Sequence, residues 1–302
     1  MLYEHLTQIL NQIIMENFAG LTGKYADYDN AKIVVLPVPY DATSSWIHGA
    51  DKGPEALLEA SVQLEWYDTE TQTEVYRQGI HTAEPVTEQS SPEALCDAVE
   101  QRVGELFDAD KFPVVIGGNH TVSIGAIRAA AKRFENLTIL QLDAHADLRV
   151  SYEGSELNHA CVMNQAKKVA AVSQVGIRSM SVEETKNYEP HRVFYARDIY
   201  FDRENRWELE AFDTLSENVY ITIDLDVFDP AFVPSTGTPE PGGLQYFQVL
   251  HFLRRVCKRF NVVGFDVVEL CPNPNQKASD YLAARLTYEL MTYRFLKRYL
   301  KK

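Results

Sequence analysis

The chain is poor in the residues that mark secreted, membrane-embedded or zinc-stabilised proteins. It has four cysteines in 302 residues and no Cys-x-x-Cys pair, so the sequence indicates neither a structural zinc site nor a disulfide framework. No stretch approaches the roughly 18 apolar residues of a membrane-spanning helix. The N-terminus also lacks a basic segment followed by an apolar one. We therefore expect reduced thiols and a cytoplasmic protein that does not enter a membrane.

Positive charge is scarce as well. The chain has 29 Lys and Arg residues against 43 Asp and Glu residues, a formal net charge of −14. Proteins that bind DNA or RNA present a basic surface to the phosphates, so we expect no nucleic-acid partner. The acidic balance is compatible with a cationic ligand, although solubility alone also explains it.

Short β-branched runs alternate with longer amphipathic segments along the chain. Runs that are apolar throughout are typical of strands covered on both faces, and their alternation with helices predicts a parallel sheet between two helical layers. We predict strands at 32–37, 113–117, 137–143, 173–177, 192–195, 219–224 and 262–268, with a weaker one at 74–80. We predict helices at 54–65, 92–107, 122–134, 160–170, 245–259 and 279–297.

The chain shows no internal repeat, low-complexity tract or long linker. We therefore predict one α/β domain over residues 1–302, in which residues 1–30 form a peripheral helical extension with an amphipathic helix at 3–19. In open α/β sheets, ligands bind beyond the carboxyl ends of the strands. A functional site is thus expected in the segments after the predicted strands.

Three short clusters of aspartate and histidine come directly after predicted strands. In two of them the polar residues are spaced two apart, and residues with this spacing point the same way in an extended chain. The third cluster is a Gly-Gly-Asn-His step. The six side chains are those of His120, Asp143, His145, Asp147, Asp224 and Asp226.

Six such ligands are too many for one small ion and suit two ions that share carboxylates. A single aspartate at a strand end is more often a helix cap, but charge concentrated at the ends of buried strands destabilises a fold unless ions neutralise it. The oxygen-rich set favours Mn²⁺ over the thiolate sites of structural zinc, with nickel, cobalt and zinc as alternatives. Two ions about 3.5–4 Å apart can lower the pKa of a shared water towards ~7. Two divalent ions, four aspartates and a bridging hydroxide together carry one net negative charge, which suits a guanidinium.

These clusters, together with the segments 222–230, 237–243 and 266–270, resemble the ureohydrolase family of arginases and agmatinases. The resemblance covers most of the chain. It implies a three-layer α/β/α sandwich around a parallel, roughly eight-stranded sheet, and a homo-oligomer, trimeric or hexameric. It also implies that two Mn²⁺ ions support the hydrolysis of a guanidino compound to urea and an amine.

The resemblance implies ligands for each ion. One ion is held by His120, Asp143, Asp147 and Asp224, and the other by Asp143, His145, Asp224 and Asp226.

The resemblance also implies roles in catalysis. Asp147 would orient the hydroxide, Glu269 would pair with the guanidinium, and His159 would bind substrate and pass a proton to the departing amine. From the residues alone, Glu269 could instead be a buried structural carboxylate, and His159 a helix-start residue. The family usually has an acidic residue where this chain has Asn119, which puts the support of His120 in question.

The loop after Asp147 lacks the long Asn- and Thr-rich stretch of arginases, and Glu153 and Glu156 in this loop suit a cationic amine. The loop looks most like that of prokaryotic agmatinases, which predicts agmatine as substrate and putrescine and urea as products. N1-aminopropylagmatine is the second choice. Guanidinobutyrate, arginine and formiminoglutamate have a carboxylate that would need a cation, for which Arg149 and Arg178 are available.

Two other functional classes remain open from the sequence. A metal-dependent deacetylase on a related fold would typically use one zinc ion and a different histidine pair. A metal-binding scaffold that has lost catalysis would keep the ligands but show no turnover.

Overall fold

An eight-stranded parallel sheet forms the centre of the computed structural model, which describes residues 17–299, with side chains as far as residue 296. The strand order is β2-β1-β3-β8-β7-β4-β5-β6, and each neighbouring pair is parallel. The strands are β1 Ile33–Val38, β2 Ile80–Thr82, β3 Phe112–Gly117, β4 Leu137–Leu142, β5 Ala171–Ile177, β6 Val193–Tyr195, β7 Asn218–Asp224 and β8 Asn261–Val268.

Helices cover both faces of this sheet, because successive residues of each strand point to opposite sides. In β1, Ile33 and Val35 enter one hydrophobic cluster, and Val34 and Leu36 enter the other. The first cluster receives side chains from α1 Gly53–Ser61, α5 Ala196–Phe201, α6 Arg206–Asp213, α7 Tyr246–Arg259 and α8 Ala278–Tyr299. The second receives them from α2 Pro92–Asp108, α3 Ser123–Arg133 and α4 Val162–Ala166. The predicted three-layer α/β/α architecture is confirmed.

The predicted elements and the observed ones differ in three places. The weak strand predicted near 74–80 is misplaced: the chain forms a 3-10 turn at Val75–Gln78, Gly79 adopts a φ of 75°, and the strand is β2 at Ile80–Thr82. The helix expected at 160–170 is reduced to α4, preceded by a 3-10 turn at His159–Cys161. Helices α5 and α6 were not predicted.

The start of α2 is capped by a side chain. The Ser91 hydroxyl accepts a hydrogen bond from the Ala94 amide at 3.1 Å, and Pro92 occupies the first turn. Proline is favoured there because its missing N–H would have no partner inside the helix. The helix therefore begins where the sequence predicts.

Most of the predicted helical extension lies outside the described residues. Within residues 17–30 the chain forms two 3-10 turns, Phe18–Gly20 and Gly23–Tyr25, and Ala19 has a φ of 59°. Phe18 and Leu21 are buried in the first core cluster. This part of the extension therefore packs against the sheet and its helices and is not peripheral. None of the helices among residues 17–299 has the length and apolar character to cross a membrane.

Candidate active site

Four adjacent central strands, β3, β8, β7 and β4, end at the same edge of the sheet and carry the predicted site residues. His120 follows β3, Glu269 follows β8, Asp224 closes β7 and Asp143 follows β4. Because all strands are parallel, their carboxyl ends meet at one edge, where the active sites of open α/β folds lie. The topology therefore brings together clusters that are up to 149 residues apart in the chain.

The first candidate ion-binding group consists of His120, Asp143 and Asp147. The Nδ1 atom of His120 lies 3.1 Å from Asp143 Oδ2 and 3.0 Å from Asp147 Oδ2. Asp224 Oδ2 is 3.6 Å from the same nitrogen. This Nδ1 is buried and has no hydrogen bond of acceptable geometry, which is uncommon for a buried polar atom. A cation between the nitrogen and the carboxylates would satisfy all of these atoms, so the residues fit a metal ion.

The second candidate group consists of Asp143, His145 and Asp226. His145 Nδ1 is 2.9 Å from Asp226 Oδ2 and 3.7 Å from Asp143 Oδ1. Asp143 belongs to both groups and turns a different oxygen to each histidine. Its carboxylate can therefore bridge two ions.

Main-chain and amide donors hold the carboxylates in place. Asp143 accepts from the His145 amide at 2.6 Å through Oδ1 and from the Gln141 side chain at 2.7 Å through Oδ2. Asp226 Oδ1 accepts from the Ala144 amide at 2.9 Å. These bonds use one lone pair of each oxygen and leave others for an ion. The ligand geometry is therefore set by the protein itself.

The far side of the His120 ring is fixed by a buried polar chain. Its Nε2 atom lies 2.9 Å from the Thr222 hydroxyl, which donates to Asp266 Oδ1 at 2.6 Å. Thr222 and Asp266 are fully buried. Such partners set the tautomer and ring orientation of a ligating histidine. His120 therefore presents Nδ1 to the carboxylates.

Asn119 does not take part in that support. Its Nδ2 atom donates to the hydroxyls of Thr43 at 2.8 Å and Ser44 at 3.2 Å, and its Oδ1 accepts from the Thr121 amide at 3.3 Å. The Ser44 hydroxyl in turn donates to Asp41. The residue that departs from the family pattern thus ties the segment 41–44 to the ligand strand.

The titration behaviour of the carboxylates reflects their crowding. Burial and the nearby Asp143 charge raise the pKa of Asp147 to about 7. Burial and the charges of Asp226 and Asp143 raise the pKa of Asp224 well above its usual range. Burial opposes the charged form of Asp143 too, but His120 and His145 lower its pKa below the usual range. Too few positive charges are present for all the carboxylates, so the site favours added cations.

The pKa values of the two histidines are raised by the neighbouring carboxylates. Burial disfavours their charged forms, yet Asp226 and Asp143 raise the pKa of His145 to about 12. Asp143 and Asp147 raise the pKa of His120 well above its usual value in the same way.

Glu269 lies beside this cluster in a strained backbone conformation. Its φ is 65° and that of Asp147 is 52°, in the left-handed region that residues other than glycine adopt infrequently. Glu269 Oε1 accepts from the His120 amide at 2.7 Å. Burial raises the pKa of this carboxyl to about 8.

A cavity of about 280 Å³ joins Glu269 to His159, His120, His145, Asp147 and Asp224. The Asn158 side chain accepts from the Ala160 amide at 3.0 Å and so starts the 3-10 turn that carries His159. The imidazole packs edge-on against Tyr152, with ring centroids 5.8 Å apart, and its Nδ1 is buried without a partner. Burial lowers the pKa of His159 to about 4.

Two predicted substrate-binding residues, Glu153 and Glu156, do not line the cavity. Glu153 is exposed at the tip of the turn Tyr152–Ser155, with a φ of 48°. Glu156 points outward, where its carboxylate lies 3.2 Å from the Lys168 ammonium. This turn directs both side chains to solvent, so we do not retain them as tail-binding residues.

Glu184 also lines the cavity, in addition to the predicted acidic residues, and it was not predicted from the sequence. It is buried, and its two oxygens accept from the amides of Leu148 at 2.9 Å and Ser181 at 2.6 Å. Among the described residues no cationic side chain forms an ion pair with it. Glu184 could have been predicted from its position after the end of β5, because the carboxyl ends of the strands carry the site.

The two arginines considered for a substrate carboxylate differ in position. Arg149 lines the cavity, and its guanidinium lies 5.0 Å from the Tyr152 ring centroid. Arg178 does not line it and donates only to main-chain carbonyls. It is therefore not available to bind a substrate carboxylate.

The arginase family model matches residues 31–293, which include all of these site residues. The chain belongs to the arginase family. The resemblance seen in the sequence motifs is thereby confirmed, and so is the family's fold, with its parallel eight-stranded sheet.

Relatives within the arginase family carry related names. An N(1)-aminopropylagmatine ureohydrolase of Synechocystis sp. is 40% identical over 277 residues, which cover 88% of this chain and 90% of that protein. An agmatinase of Pyrococcus horikoshii is 32% identical, with coverage of 87% and 92%. The crystal structure of an agmatine ureohydrolase of Thermoplasma volcanium superimposes with a TM-score of 0.84 at 30% identity, over 98% of this chain and 99% of that one.

Proposed function

We propose that this arginase-family protein hydrolyses a guanidino compound with a cationic amine tail to urea and an amine. The observation that carries the proposal is the placement of two His/Asp groups, joined by Asp143, in contact with one cavity that also contains Glu269 and His159. A metal-binding scaffold would need the ligands but not these two additional side chains.

We propose two Mn²⁺ ions as the cofactors, with the ligands His120, Asp143, His145, Asp147, Asp224 and Asp226. Carboxylate and imidazole ligands of this kind suit Mn²⁺, and nickel, cobalt and zinc are alternatives for the metal assay. When bound, the ions would supply Lewis-acid activation of water for attack on the guanidinium carbon.

The protein's own residues would position the substrate. The Glu269 carboxylate would accept N–H groups of the guanidinium, and a cationic partner there favours its ionised form. The Asp147 carboxylate would orient the attacking water. Burial lowers the pKa of His159 to about 4, so at pH 7 the imidazole would be neutral and would hold a proton only transiently. The imidazole could then transfer a proton to the departing amine.

Glu184 is our candidate for the group that binds the amine tail. Glu269 follows β8 and Glu184 follows β5, and β7 and β4 lie between these two strands. At about 4.8 Å per strand, the two chain segments are three inter-strand steps apart. A molecule with a cation at each end suits two carboxylates placed in this way.

Agmatine is the smallest compound that meets this description. Its N1-aminopropyl derivative meets it too, and the relative that is 40% identical, together with one from Thermus thermophilus that is 38% identical, carries the name of that activity. We therefore propose both compounds as substrates, with the aminopropyl derivative preferred.

The proposal is tested by measuring urea release from the Mn²⁺-loaded protein. We expect turnover of agmatine and N1-aminopropylagmatine, and at least tenfold lower kcat/KM for guanidinobutyrate and arginine, whose carboxylates would meet the buried Glu184 charge. Metal content is measured on the same sample. Two bound ions without turnover of any guanidino compound would indicate a scaffold, and one zinc ion per chain would favour the deacetylase alternative.

Replacing Glu184 by glutamine is expected to raise KM for agmatine by roughly 30-fold. A charge-assisted contact in a buried site contributes about 2 kcal/mol, and each 1.4 kcal/mol corresponds to a factor of ten. The KM for butylguanidine, whose tail is neutral, should change less than about threefold. Steady-state urea release with both substrates measures the difference.

Glu183 provides the matched control for this variant. It is adjacent in the chain and carries the same charge, but it is exposed and does not line the cavity. Glu183→Gln should leave both KM values unchanged. If Glu184→Gln raises KM equally for agmatine and butylguanidine, Glu184 only stabilises the loop through its hydrogen bonds to Leu148 and Ser181.

We also propose a homo-oligomer, trimeric or hexameric, in the cytoplasm. Three aromatic side chains, Tyr200, Phe201 and Phe247, are each more than two-thirds exposed, with values of 72%, 69% and 79%. The rings of Tyr200 and Phe201 are in contact, with centroids 5.1 Å apart, and exposed aromatic rings are enriched in contact surfaces between subunits. The four cysteines are all free thiols, which supports a reducing compartment.

A further inference from the structure

One guanidinium, that of Arg178 at the end of β5, donates to six main-chain carbonyls. Its Nη2 lies 2.6 Å from the Asp226 oxygen, 2.7 Å from that of Glu240 and 3.3 Å from that of Phe228. The remaining bonds, from Nε and Nη1, reach the oxygens of Pro241, Gly176 and Val227 at 3.1, 3.3 and 3.4 Å.

Three of these carbonyls belong to the 3-10 turn that carries Asp226 and to the residue after it. The turn spans Leu225–Val227 and follows β7 directly. The last carbonyls of a short helix have no partner within it, and a cation at that end satisfies them and interacts favourably with the turn's dipole. Arg178 thus donates to the Asp226 and Phe228 carbonyls, whereas the Val227 carbonyl also accepts from the Leu244 amide at 2.9 Å.

The planar fork of arginine explains why this residue type is present. An arginine holds several donors in one plane with fixed directions, whereas a lysine ammonium is a compact point charge. Here the fork joins the end of β5, the turn after β7 and the segment 240–241. Among the described residues Arg178 has no direct ion pair with a carboxylate, so its contacts hold the main chain, and its charge acts on Asp226 and Asp143 only at longer range.

We infer that Arg178 is a positioning residue for Asp226 and thereby sets the affinity of the Asp143–His145–Asp226 group for its ion. This inference rests on the proposed two-ion site. Asp226 places Oδ2 2.9 Å from His145 Nδ1, and this placement depends on the conformation of the turn. Loss of the fork would let the turn and its carboxylate move.

The other ion-binding group should be less sensitive to the same change. Its link to the turn is Asp224, which closes β7 and is held there by its pairing with Val268 of β8. His120, Asp143 and Asp147 lie on segments after β3 and β4 and make no hydrogen bond to Arg178. Their supports are the Thr222–Asp266 chain and the Gln141 side chain. The two ions should therefore respond differently, which a general loss of structure would not produce.

The test is a calorimetric titration of metal-free protein with Mn²⁺. It is carried out on the wild type, Arg178→Lys and Arg178→Gln. We expect two ions in the wild type. In Arg178→Gln one ion should bind within about twofold of its wild-type affinity and the other at least tenfold more weakly, a loss typical when a partner of a metal ligand is removed. In Arg178→Lys the affinity for the second ion should lie between those of the wild type and Arg178→Gln, because lysine keeps some donors. The electron paramagnetic resonance signal of coupled Mn²⁺ pairs should be strongest in the wild type, weaker in Arg178→Lys and weakest in Arg178→Gln.

Arg192→Lys is the matched control. Arg192 also donates to a main-chain carbonyl, that of Thr214 at 2.7 Å, but lies outside the candidate site. It should bind both ions as the wild type does. If both Arg178 variants keep two ions at wild-type affinity, or lose both ions together, the selective role of Arg178 is wrong. A wild type that binds fewer than two ions would instead refute the two-ion site itself.

Discussion

Replacing Asp143 by alanine is expected to abolish urea release and to remove both ions. Asp143 is the residue shared by the two His/Asp groups, and its two oxygens face different histidines. Without it each group keeps only one carboxylate and one histidine at close range. Activity should fall by roughly a thousandfold or more, since even a partner of a metal ligand contributes 10- to 100-fold. Urea release and the metal content of the dialysed protein measure the two effects.

The interpretation of this variant depends on the protein remaining folded. Asp143 also accepts from Gln141 and from the His145 amide, and asparagine retains an acceptor at the same position. Asp143→Asn should therefore unfold at a temperature close to that of the metal-free wild type, and it should bind neither ion tightly. Asp108→Ala, at the exposed end of α2, should change nothing. Wild-type metal content in Asp143→Ala would exclude a bridging role.

The sequence was sufficient to predict the sheet and the ion-binding clusters. Strands buried on both faces leave continuous apolar runs, and parallel strands bring the segments at their carboxyl ends to one edge of the sheet. Asp143 and His145 are recognisable because their two-residue spacing results directly from extended geometry. The same local rules missed α5 and α6, whose six and eight residues are too short for a clear helical period.

The substrate end of the site was less predictable, because charge can be read from a sequence but side-chain direction cannot. Glu153 and Glu156 lie in the expected loop, yet a turn with positive φ values at Glu153 and Gly154 directs the acidic side chains outward. Such turns favour Asn-Gly or Gly-Gly, so Glu-Gly gave a weak local signal. Glu184 enters the cavity only because its loop packs on Leu148. That contact is tertiary and leaves no pattern in the chain.

Removing the ions is expected to make the protein less stable as the pH rises from 6.5 to 8. In the metal-free state burial raises the pKa of Glu269 to about 8, and burial with the Asp143 charge raises that of Asp147 to about 7. Their ordinary values are 4.5 and 3.8. Such a carboxyl group keeps its proton in the folded state but not in the unfolded one. Each pH unit of increase then lowers the free energy of unfolding by about 1.4 kcal/mol until the pH passes the folded-state pKa. Over this interval these two groups alone should lower the free energy of unfolding by about 2–3 kcal/mol.

The other shifted groups do not reverse this trend. The stabilising contributions of His120 and His145, whose pKa values are raised, are complete below 6.5 and are lost as the pH rises further. The lowered pKa of Asp143 matters only on acidification below 3.8. His159, with a pKa lowered to about 4, opposes the trend only below its ordinary value of 6.5. The raised pKa values of Asp224 and Glu289 act in the same direction as those of Glu269 and Asp147, so the metal-free protein loses stability throughout this interval.

Calorimetric unfolding of Mn²⁺-loaded and metal-free protein across this interval measures the effect. Ions displace protons from their ligands, so their stabilising effect grows as the pH rises. The difference in Tm between the two forms should increase by at least roughly 4 °C from pH 6.5 to 8, given about 1.6 °C per kcal/mol for a domain of this size. Glu269→Gln keeps the acceptor for the His120 amide but cannot ionise, so in this variant the increase should be smaller by about 2–3 °C. A constant difference in the wild type would mean that these buried carboxylates ionise as freely as exposed ones, and the crowding that favours cations would then be absent.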